Sequence, residues 1–317
     1  MSTYQPATQP TLYFIGVTTG KSSIMKVFPA WAEYLGLKDA VIKGIDFKLH
    51  ADPAAYRKAV EFIRDDPLSM GALVTTHKID LFHACRHLFD VIDPHALLMD
   101  ETSCISKRGG KLICHAKDPI SSGLSIDAFL GEDYFEHSDA DLFSMGAGGS
   151  TIALTWHLMR KSRGSNVPAR IVVTNRSQHR LDEIRRIHQQ VETAVPIEYL
   201  LAETPAANDA VLASLKPGSL VINATGLGKD APGSPLTDAA IFPERSVVWD
   251  LNYRGDLVFL DQARRQQAEK ALQVEDGWTY FIHGWTQVVA EVFDVKIPPS
   301  GPSFDRISEI ALAAAGR

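Results

Sequence analysis

Short apolar runs alternate with longer segments of helical periodicity in the first part of the chain. An uninterrupted apolar run is typical of a buried strand, whereas apolar residues that recur every third or fourth position indicate a helix with one buried face. In the segment PAAYRKAVEFIRDD this spacing predicts that Ala55, Val60, Phe62 and Ile63 point to one side. The predicted strands are TLYFIGV, AVIKGIDFKL, GALVT and GGKLICHA, the last after a Gly-Gly turn. The predicted helices are SSIMKVFPAWAEYLGL, PAAYRKAVEFIRDD and a segment from Ile79.

A second alternating series begins after Asp118-Pro119. Its predicted helices are SSGLSIDAFLG and the segment that GAGGS opens through TIALTWHLMRKS, and its predicted strands are DLFSM, ARIVVTN, SLVINAT and SVVWDLN. Two helices, DGWTYFIHGWTQVVAEVF and SFDRISEIALAAA, are predicted to follow. Strands and helices that alternate with short connections predict an α/β fold with a parallel, doubly wound sheet. We expect one domain over residues 1–121, completed by residues 277–317, and a second over 122–276.

Composition narrows the class of protein. The chain has 317 residues, 45% of them hydrophobic and 22% charged, as in ordinary folded proteins. A formal net charge of −6 without a basic stripe argues against a nucleic-acid partner. Cys85, Cys104 and Cys114 form neither a paired framework nor a C-x-x-C motif, which favours a reducing, cytoplasmic setting. The start MSTYQPATQPT is predicted to be a loose tail rather than a signal peptide, and no apolar run is long enough to indicate a membrane partner.

A glycine loop, MGAGGS, lies between the strand DLFSM and a helix. Glycines at a helix N-terminus let backbone N–H groups approach a pyrophosphate. Thr151 occupies the third glycine place of the G-x-G-x-x-G fingerprint, so the match is incomplete. Because a further strand follows the helix, the context favours dinucleotide binding over a simple helix-entry turn. The candidate cofactor contacts in this loop are Gly146, Ala147, Gly148, Gly149 and Ser150.

The end of the strand ARIVVTN bears on which dinucleotide is bound. A site for NAD usually carries an acidic residue here that accepts from the ribose hydroxyls. This chain instead has Asn175, Arg176 and Ser177, with Arg180 one turn further on. Two guanidinium groups suit a 2′-phosphate, so NADP is favoured as the cofactor. NAD stays possible if the two arginines are only solvated charges at a helix entry.

Two further patterns resemble known motifs without meeting their requirements. IGVTTGKSS resembles a phosphate-binding P-loop, but only three residues separate Gly16 from Gly20 where that motif has four. His83 and His87 share one helix face, yet the glutamate of the zinc motif H-E-x-x-H is missing. We therefore expect neither a nucleoside triphosphatase nor a metal site.

Lys78 and Asp118 are the candidate catalytic residues. Each follows a predicted strand, Lys78 after GALVTTH and Asp118 after KLICHAK. Hydride transfer at a carbinol carbon needs a group that moves the hydroxyl proton, and a lysine beside a carboxylate can do so. Spacing alone leaves each residue open to being a surface charge.

Seven segments together resemble motifs of the shikimate/quinate dehydrogenase family, in the same order and over most of the chain. In the N-terminal part they correspond to the family's strand–loop–lysine motif and to its substrate-binding segment, which ends in aspartate. In the middle they correspond to the family's glycine loop and NADP-selecting motif. Towards the C-terminus they correspond to the family's asparagine–alanine–threonine segment, the strand after it, and its glutamine–glycine helix. The segments are VTTHK, GKLICHAKD, MGAGGS, TNRS, INATGLG, VVWDLNY and FIHGWTQ. The resemblance implies an N-terminal α/β substrate domain completed by the C-terminal helices, a Rossmann-type NADP domain, a cleft between them, and a Lys78–Asp118 dyad.

The resemblance also implies contacts with a small-molecule hydroxy-acid substrate and with the cofactor, in a monomer or homodimer. The implied substrate-binding residues are Thr19, Lys21, Ser22, Ser23, Thr75, Ser103 and His283. The implied further cofactor-binding residues are Ala224, Thr225, Gly226 and Gly284. Thr225 and Gly226 would lie beside the nicotinamide, and Ser22 and Ser23, with Lys21, would hold an anionic group.

The departures from the family pattern are concentrated on the substrate side. Ser103 and Ala116 replace two asparagines expected to bind ring hydroxyls. The neighbours of the two catalytic candidates differ as well, and His283 stands at a glutamine position: the affected residues are Thr76 for proline, Lys117 for threonine, Pro119 for glycine and His283 for glutamine. Unpaired buried donors and acceptors cost ~1–3 kcal/mol each, so such changes alter which substrate is accepted.

The sequence therefore predicts reversible hydride transfer between NADP(H) and a hydroxyl or keto group of a cyclic hydroxy-carboxylate other than shikimate itself. One alternative is a non-enzymatic metabolite sensor with the same fold, since fold does not imply function. Another is a different Rossmann enzyme, such as a folate-linked dehydrogenase, that uses the lysine differently.

Overall fold

A computed structural model describes residues 4–131, 133–229 and 231–317. The described chain divides into two compact units. The first unit contains the residues up to Lys117 together with Ile282–Arg317, and the second contains Asp118–Phe281. These divisions lie a few residues from the borders predicted near residues 121 and 277.

The first unit is built on a six-stranded sheet with the order β2-β1-β3-β5-β6-β4. Its strands are Thr11–Gly16 (β1), Val41–Asp46 (β2), Ser69–Val74 (β3), Val91–Ile92 (β4), Cys104–Arg108 (β5) and Lys111–His115 (β6). Strand β1 pairs in parallel with β2 and β3, whereas β5 runs antiparallel to both β3 and β6. All six residues of β1 are buried, which explains its uninterrupted apolar run.

Helices cover this sheet. In the first unit they are Ile24–Tyr34 (α1), Pro53–Asp65 (α2), Lys78–Cys85 (α3), Pro94–Met99 (α4) and Pro302–Ala315 (α11). The C-terminal helix packs on α1, where the Trp31 indole N–H donates to the Ile307 carbonyl at 2.9 Å. In α2 the residues Val60 and Ile63 are buried as predicted. Ala55 and Phe62 are only half-buried, because the inward stripe of α2 continues through Tyr56 and Ala59 instead.

The prediction of a loose N-terminal tail is wrong from Tyr4 onward, and residues 1–3 lie outside the described part. The Tyr4 ring stacks on Phe62 at 4.9 Å between centroids. Ala7 is buried, and its backbone N–H donates to Asp66 Oδ2 at 2.9 Å. The segment that precedes β1 thus packs on Phe62 of α2 and is bonded to Asp66, the residue after the helix.

The second unit contains a six-stranded parallel sheet with the order β12-β11-β10-β7-β8-β9. Its strands are Leu142–Met145 (β7), Ile171–Asn175 (β8), Ile197–Leu201 (β9), Leu220–Asn223 (β10), Val247–Asp250 (β11) and Gln273–Glu275 (β12). Its helices are Asp118–Asp127 (α5), Gly149–Met159 (α6), Gln178–His188 (α7), Pro205–Leu212 (α8) and Val258–Lys270 (α9). The tenth helix, Trp278–Phe293 (α10), begins in this unit and continues into the first.

The strand order of the second unit is that of a doubly wound dinucleotide-binding sheet, with the reversal between β7 and β10. Ligands bind such sheets outside the carboxyl ends of the strands at this reversal. The predicted α/β fold class with a Rossmann-type sheet is therefore confirmed. Of the helices within the described ranges, none is long and apolar enough to cross a bilayer.

Candidate active site

The segment before Lys78 makes a tight turn. The backbone N–H of His77 donates to the carbonyl of Thr75, and Thr76 between them has φ +60°. These features describe a γ-turn with a positive central φ, a conformation that a β-branched residue rarely adopts. Proline cannot reach this φ because its ring holds φ near about −65°. The turn is thus incompatible with the proline that the family resemblance expects at this position.

His77, the last residue of this turn, is held in place by its neighbours. The ring is buried, its Nδ1 lies 2.9 Å from the Tyr56 hydroxyl, and it packs edge-on against Phe47. Burial lowers the pKa of His77, so the ring is neutral at neutral pH. Lys78, half-buried, is the first residue of α3. His77 could not be identified from the sequence, because nothing in the local pattern separates it from a surface histidine.

The residues predicted to hold an anion lie around the start of α1. Ser22 and Ser23 are half-buried and Lys21 is exposed. Ser23 is the N-cap of α1, and its hydroxyl makes no capping hydrogen bond. Two hydroxyls beside the N–H groups of an eleven-residue helix can bind a carboxylate.

Thr19 has a structural partner of its own. Its backbone N–H and its hydroxyl both donate to Asp46 Oδ1, at 2.9 and 2.6 Å. The side chain is buried and fixes the short helical turn Thr19–Lys21 to the end of β2. A substrate contact of Thr19 would therefore have to use the hydroxyl oxygen as an acceptor. The predicted contact stays a prediction.

Other residues predicted to contact substrate already make hydrogen bonds within the first unit. The Ser103 hydroxyl accepts from the backbone N–H of Lys117 at 2.7 Å, and Ala116 is fully buried. Thr75 is half-buried, and its N–H donates to the carbonyl of Ile15. At the two positions where the resemblance expects asparagines, the chain thus has one hydroxyl, which already accepts one hydrogen bond, and one methyl group.

His283 lies in the C-terminal part of the first unit. It is 1% exposed and stacks on Phe304 at 4.4 Å between ring centroids. Burial lowers its pKa to about 4, so the ring is neutral at neutral pH. Its Nδ1 makes no hydrogen bond with any described residue. One turn of helix contains both His283 and Gly284, and a side chain at Gly284 would meet nothing within 4 Å.

The glycine loop of the second unit lies at the strand reversal. Gly146 has φ +109°, and a Cβ there would lie 2.7 Å from the carbonyl oxygen of Ala224. Only glycine fits this close approach between the ends of β7 and β10. Gly148 is the N-cap of α6 and provides no side-chain cap, so the first N–H groups of α6 remain available for an anion. Ala147 is buried beneath the loop, and the Ser150 hydroxyl accepts from the Tyr280 hydroxyl at 3.1 Å.

The end of β8 carries the predicted phosphate-selecting residues. The Asn175 side chain accepts from the N–H of Ser177 at 2.9 Å and so shapes the entry into α7. Arg176 is exposed, whereas Arg180 is half-buried and pairs with Glu183 at 2.6 Å. A 2′-phosphate would therefore meet less competition from a neighbouring carboxylate at Arg176 than at Arg180.

A buried polar network follows β10 and β11, and the sequence did not reveal it. Asn223 Oδ1 accepts from the N–H and hydroxyl of Thr225 at 3.0 and 2.6 Å, while its Nδ2 donates to Asp250 Oδ2 at 2.9 Å. The Asn252 N–H donates to the other oxygen of Asp250 at 2.8 Å, and its side chain donates to the Thr225 carbonyl. Burial raises the pKa of Asp250 to about 6. This network fixes the half-buried Thr225 and the exposed Gly226 after it.

Asp118 begins α5 and is 8% exposed. It belongs to the second unit, whereas Lys78 belongs to the first. The predicted Lys78–Asp118 dyad therefore stays a prediction. His83 lies 2.8 Å from Asp100 Oδ2, and no described group of His, Cys, Asp and Glu side chains has the arrangement of a metal site.

Comparisons with known proteins test the resemblance to the shikimate/quinate dehydrogenase family. No family model matches the chain. The NADP-dependent shikimate dehydrogenase of Lactococcus lactis is 26% identical over 181 residues, 57% of this chain and 60% of that protein. Its counterpart from Streptococcus gordonii is 29% identical over 203 residues, 59% of this chain and 66% of that protein. The chain thus matches less than two thirds of the length of each relative.

Solved structures share the fold. The shikimate dehydrogenase of Aquifex aeolicus has a TM-score of 0.71 at 19% identity, covering 96% of this chain and 99% of that one. The shikimate 5-dehydrogenase of Thermus thermophilus, solved with NADP(H) and shikimate, has a TM-score of 0.69 at 19% identity, covering 96% and 99%. A 5-ketofructose reductase of Gluconobacter has a TM-score of 0.66 at 18% identity, covering 95% and 98%. Together with the sequence relatives, these matches support the predicted resemblance: the chain is similar in sequence to shikimate dehydrogenases and shares their fold.

Proposed function

We propose that this divergent shikimate dehydrogenase-like chain is an NADP-dependent dehydrogenase for a cyclic hydroxy-carboxylate other than shikimate. The observation that carries the proposal is the glycine loop at the strand reversal, with Gly146 against Ala224 and an uncapped α6 N-terminus. Backbone N–H groups in this position suit a dinucleotide pyrophosphate. The two sequence relatives are named as NADP-dependent dehydrogenases of shikimate, which supports the cofactor and the class of reaction.

The donor set of the second unit fits NADP. Main-chain groups at Gly148, Gly149 and Ser150 would hold the pyrophosphate, and Arg176 would hold the 2′-phosphate with a charge-assisted bond. Thr225, fixed by Asn223, would lie beside the nicotinamide. When bound, NADP accepts a hydride and NADPH donates one. A solved neighbour with this fold was obtained with NADP(H), which is consistent with the assignment.

Lys78 and Asp118 are proposed to handle the proton. In the oxidative direction a hydride leaves the carbinol carbon, the hydroxyl proton passes to this pair, and a C=O bond forms. In reduction the Lys78 ammonium donates that proton to the carbonyl oxygen as the hydride arrives. The partial burial of Lys78 supports the role, because an electrostatic contact with the oxygen strengthens as water is excluded.

The proposed substrate class rests on the polar groups of the first unit. Ser22, Ser23 and Lys21 are proposed to hold a carboxylate at the start of α1. Ser103 has a single hydroxyl, which accepts from the Lys117 N–H, and Ala116 has no polar group, so ring hydroxyls at those places would lose hydrogen bonds that two amide side chains could make. Each such loss costs about 1–3 kcal/mol, which favours a substrate with fewer or differently placed hydroxyls than shikimate. A neighbour of the same fold is named for 5-ketofructose, in line with a fold that accepts different substrates.

Steady-state oxidoreduction with NADP(H) on a panel of polyol and cyclic hydroxy acids tests the proposal. We expect turnover by the wild type and a loss of about 100-fold or more in kcat for Lys78→Ala, in the range of general acid–base catalysis. Lys38→Ala, which alters an exposed lysine of the same unit, is the matched control and should keep full activity. Full turnover by Lys78→Ala would rule out the proton role. Tight NADPH binding without turnover on any acid would instead favour a metabolite sensor.

A further inference from the structure

Lys117 directly precedes Asp118, and it is held at both its backbone and its side chain. Its N–H donates to Ser103 Oγ at 2.7 Å, and its ammonium donates to Glu291 Oε2 at 2.6 Å. The side chains of Lys117 and Glu291 are only 13% and 20% exposed. The family resemblance expects threonine at position 117, so this ion pair is a feature of the present chain.

Glu291 is the centre of a larger set of charges in the first unit. Its Oε1 lies 3.5 Å from Arg108 Nη2 and 3.6 Å from His115 Nε2. The other nitrogen of His115 lies 3.3 Å from Asp93 Oδ2. Burial by itself would raise the pKa of Glu291, but the hydrogen bond from Lys117 and the neighbouring positive charges hold it below its usual range. The carboxylate is therefore ionised at neutral pH and remains a partner for Lys117.

Through its contacts with Lys117 and Arg108, Glu291 connects three parts of the chain. Glu291 stands on α10, Arg108 ends β5, and Lys117 lies two residues beyond the end of β6. Removing one partner of a largely buried pair is costly, because the other charge is left without compensation. The Lys117 side chain would then turn toward water, and its backbone, held by the hydrogen bond to Ser103, would shift with it. Since α5 begins at Asp118, that displacement passes directly to the residue proposed to handle the proton.

We infer that Glu291 is a positioning residue that fixes Asp118 through Lys117. The inference rests on the proposed function, because it assumes that Asp118 acts in proton transfer. Catalytic geometry is sensitive to displacements of about 1 Å, which can cost on the order of 100-fold in rate. Glu291 itself is not expected to touch substrate or cofactor, so its effect should appear in kcat and not in cofactor binding.

A double-mutant cycle on the full-length protein separates this role from a purely structural one. Glu291→Gln removes the charge and keeps the shape, and Lys117→Met removes the ammonium and keeps the length. We expect each single variant to lower kcat about 10-fold or more while the KM for NADP changes less than about 2-fold. In the Lys117→Met background, Glu291→Gln should have little further effect, because Glu291 acts through Lys117. Glu291→Asp, which keeps the charge, should recover part of the rate.

Glu309→Gln is the matched control, since it makes the same change in an exposed ion pair with Arg306 of the same unit. It should leave kcat unchanged. Additive losses in the double variant, or a lower Tm with unchanged kcat in Glu291→Gln, would overturn the positioning role while leaving the proposed function intact. A wild-type protein without turnover on any substrate would overturn the proposed function, and this inference with it.

Discussion

Thr151 donates its hydroxyl hydrogen to the carbonyl oxygen of Gly146 at 2.7 Å and so closes the glycine loop on itself. The same hydroxyl lies 3.0 Å from Ser144 Oγ, and the side chain is 1% exposed. Thr151, at the third glycine position of the fingerprint, therefore does not disrupt the glycine loop. It supplies a hydrogen bond that a glycine could not make.

Thr151→Val should weaken the loop. The change keeps the volume but leaves the Gly146 carbonyl and Ser144 without this partner, which costs about 1–3 kcal/mol. We expect a lower free energy of unfolding in urea and a higher KM for NADP. Thr151→Ser, which keeps the hydroxyl, is the control. Equal stability of the valine and serine variants would show that the hydrogen bond contributes nothing.

Arg176→Ala should discriminate between the two dinucleotides. Loss of a charge-assisted contact to the 2′-phosphate is expected to raise the KM for NADP about 10-fold or more and to leave the KM for NAD unchanged. Arg180→Ala is expected to have a smaller effect, because that guanidinium already pairs with Glu183. A similar loss for both dinucleotides in Arg176→Ala would contradict the assignment of the 2′-phosphate contact.

Thr76→Pro should disrupt the turn before Lys78. Proline cannot adopt the φ of +60° observed at this residue, so the γ-turn would have to open. We expect a loss of about 2–3 kcal/mol in the free energy of unfolding and a lower kcat. Thr76→Gly, which adopts positive φ without strain, should fold at least as stably as the wild type. A fully active and stable proline variant would mean that the turn is not required.

Acid should destabilise the protein through two buried histidines. Burial lowers the pKa of His188 and of His283 to about 4, whereas the unfolded residues titrate near about 6.5. Between these values the unfolded chain binds more protons, so stability is lost as pH falls from about 6.5 toward about 4, on the order of 2–3 kcal/mol per histidine. Asp250 has the opposite effect over part of this range, because its raised pKa of about 6 makes the native state the better proton binder.

Urea unfolding at a series of pH values checks this balance. His283→Gln should flatten the acid slope, and His179→Gln, which alters an exposed histidine, should leave it as in the wild type. Asp250→Asn should make the acid slope steeper. A slope that is the same in His283→Gln and in the wild type would mean that the pKa of His283 does not differ between the native and the unfolded state.

In the second unit the sequence predicted the buried strands and missed the two edge strands. Strands β7, β8 and β10 are buried almost throughout, and their continuous apolar runs identified them. The edge strands β9 and β12 are half-exposed, so neither carries such a run. Strand β5 was missed because CISKR loses its apolar character where it leaves the core.

The polar networks could not be predicted for a different reason. Asn223 and Asp250 are 27 positions apart, and Lys117 and Glu291 are 174 positions apart. Sheet pairing and helix packing bring each pair together, and no local pattern marks the partners. The glycine loop and the segment before Lys78 were found because their signals are contiguous in the chain.

Transfer of deuterium tests the central claim most directly. Wild-type protein is incubated with NADPH deuterated at the transferring carbon of its nicotinamide and with the keto form of each accepted acid, and the product is analysed by mass spectrometry and NMR. We predict one deuterium on the new carbinol carbon, and a rate of product formation lower by about 100-fold or more with Lys78→Ala under the same conditions. A reduced product without deuterium, or no reduction of any keto acid by protein that binds NADPH, would contradict the account.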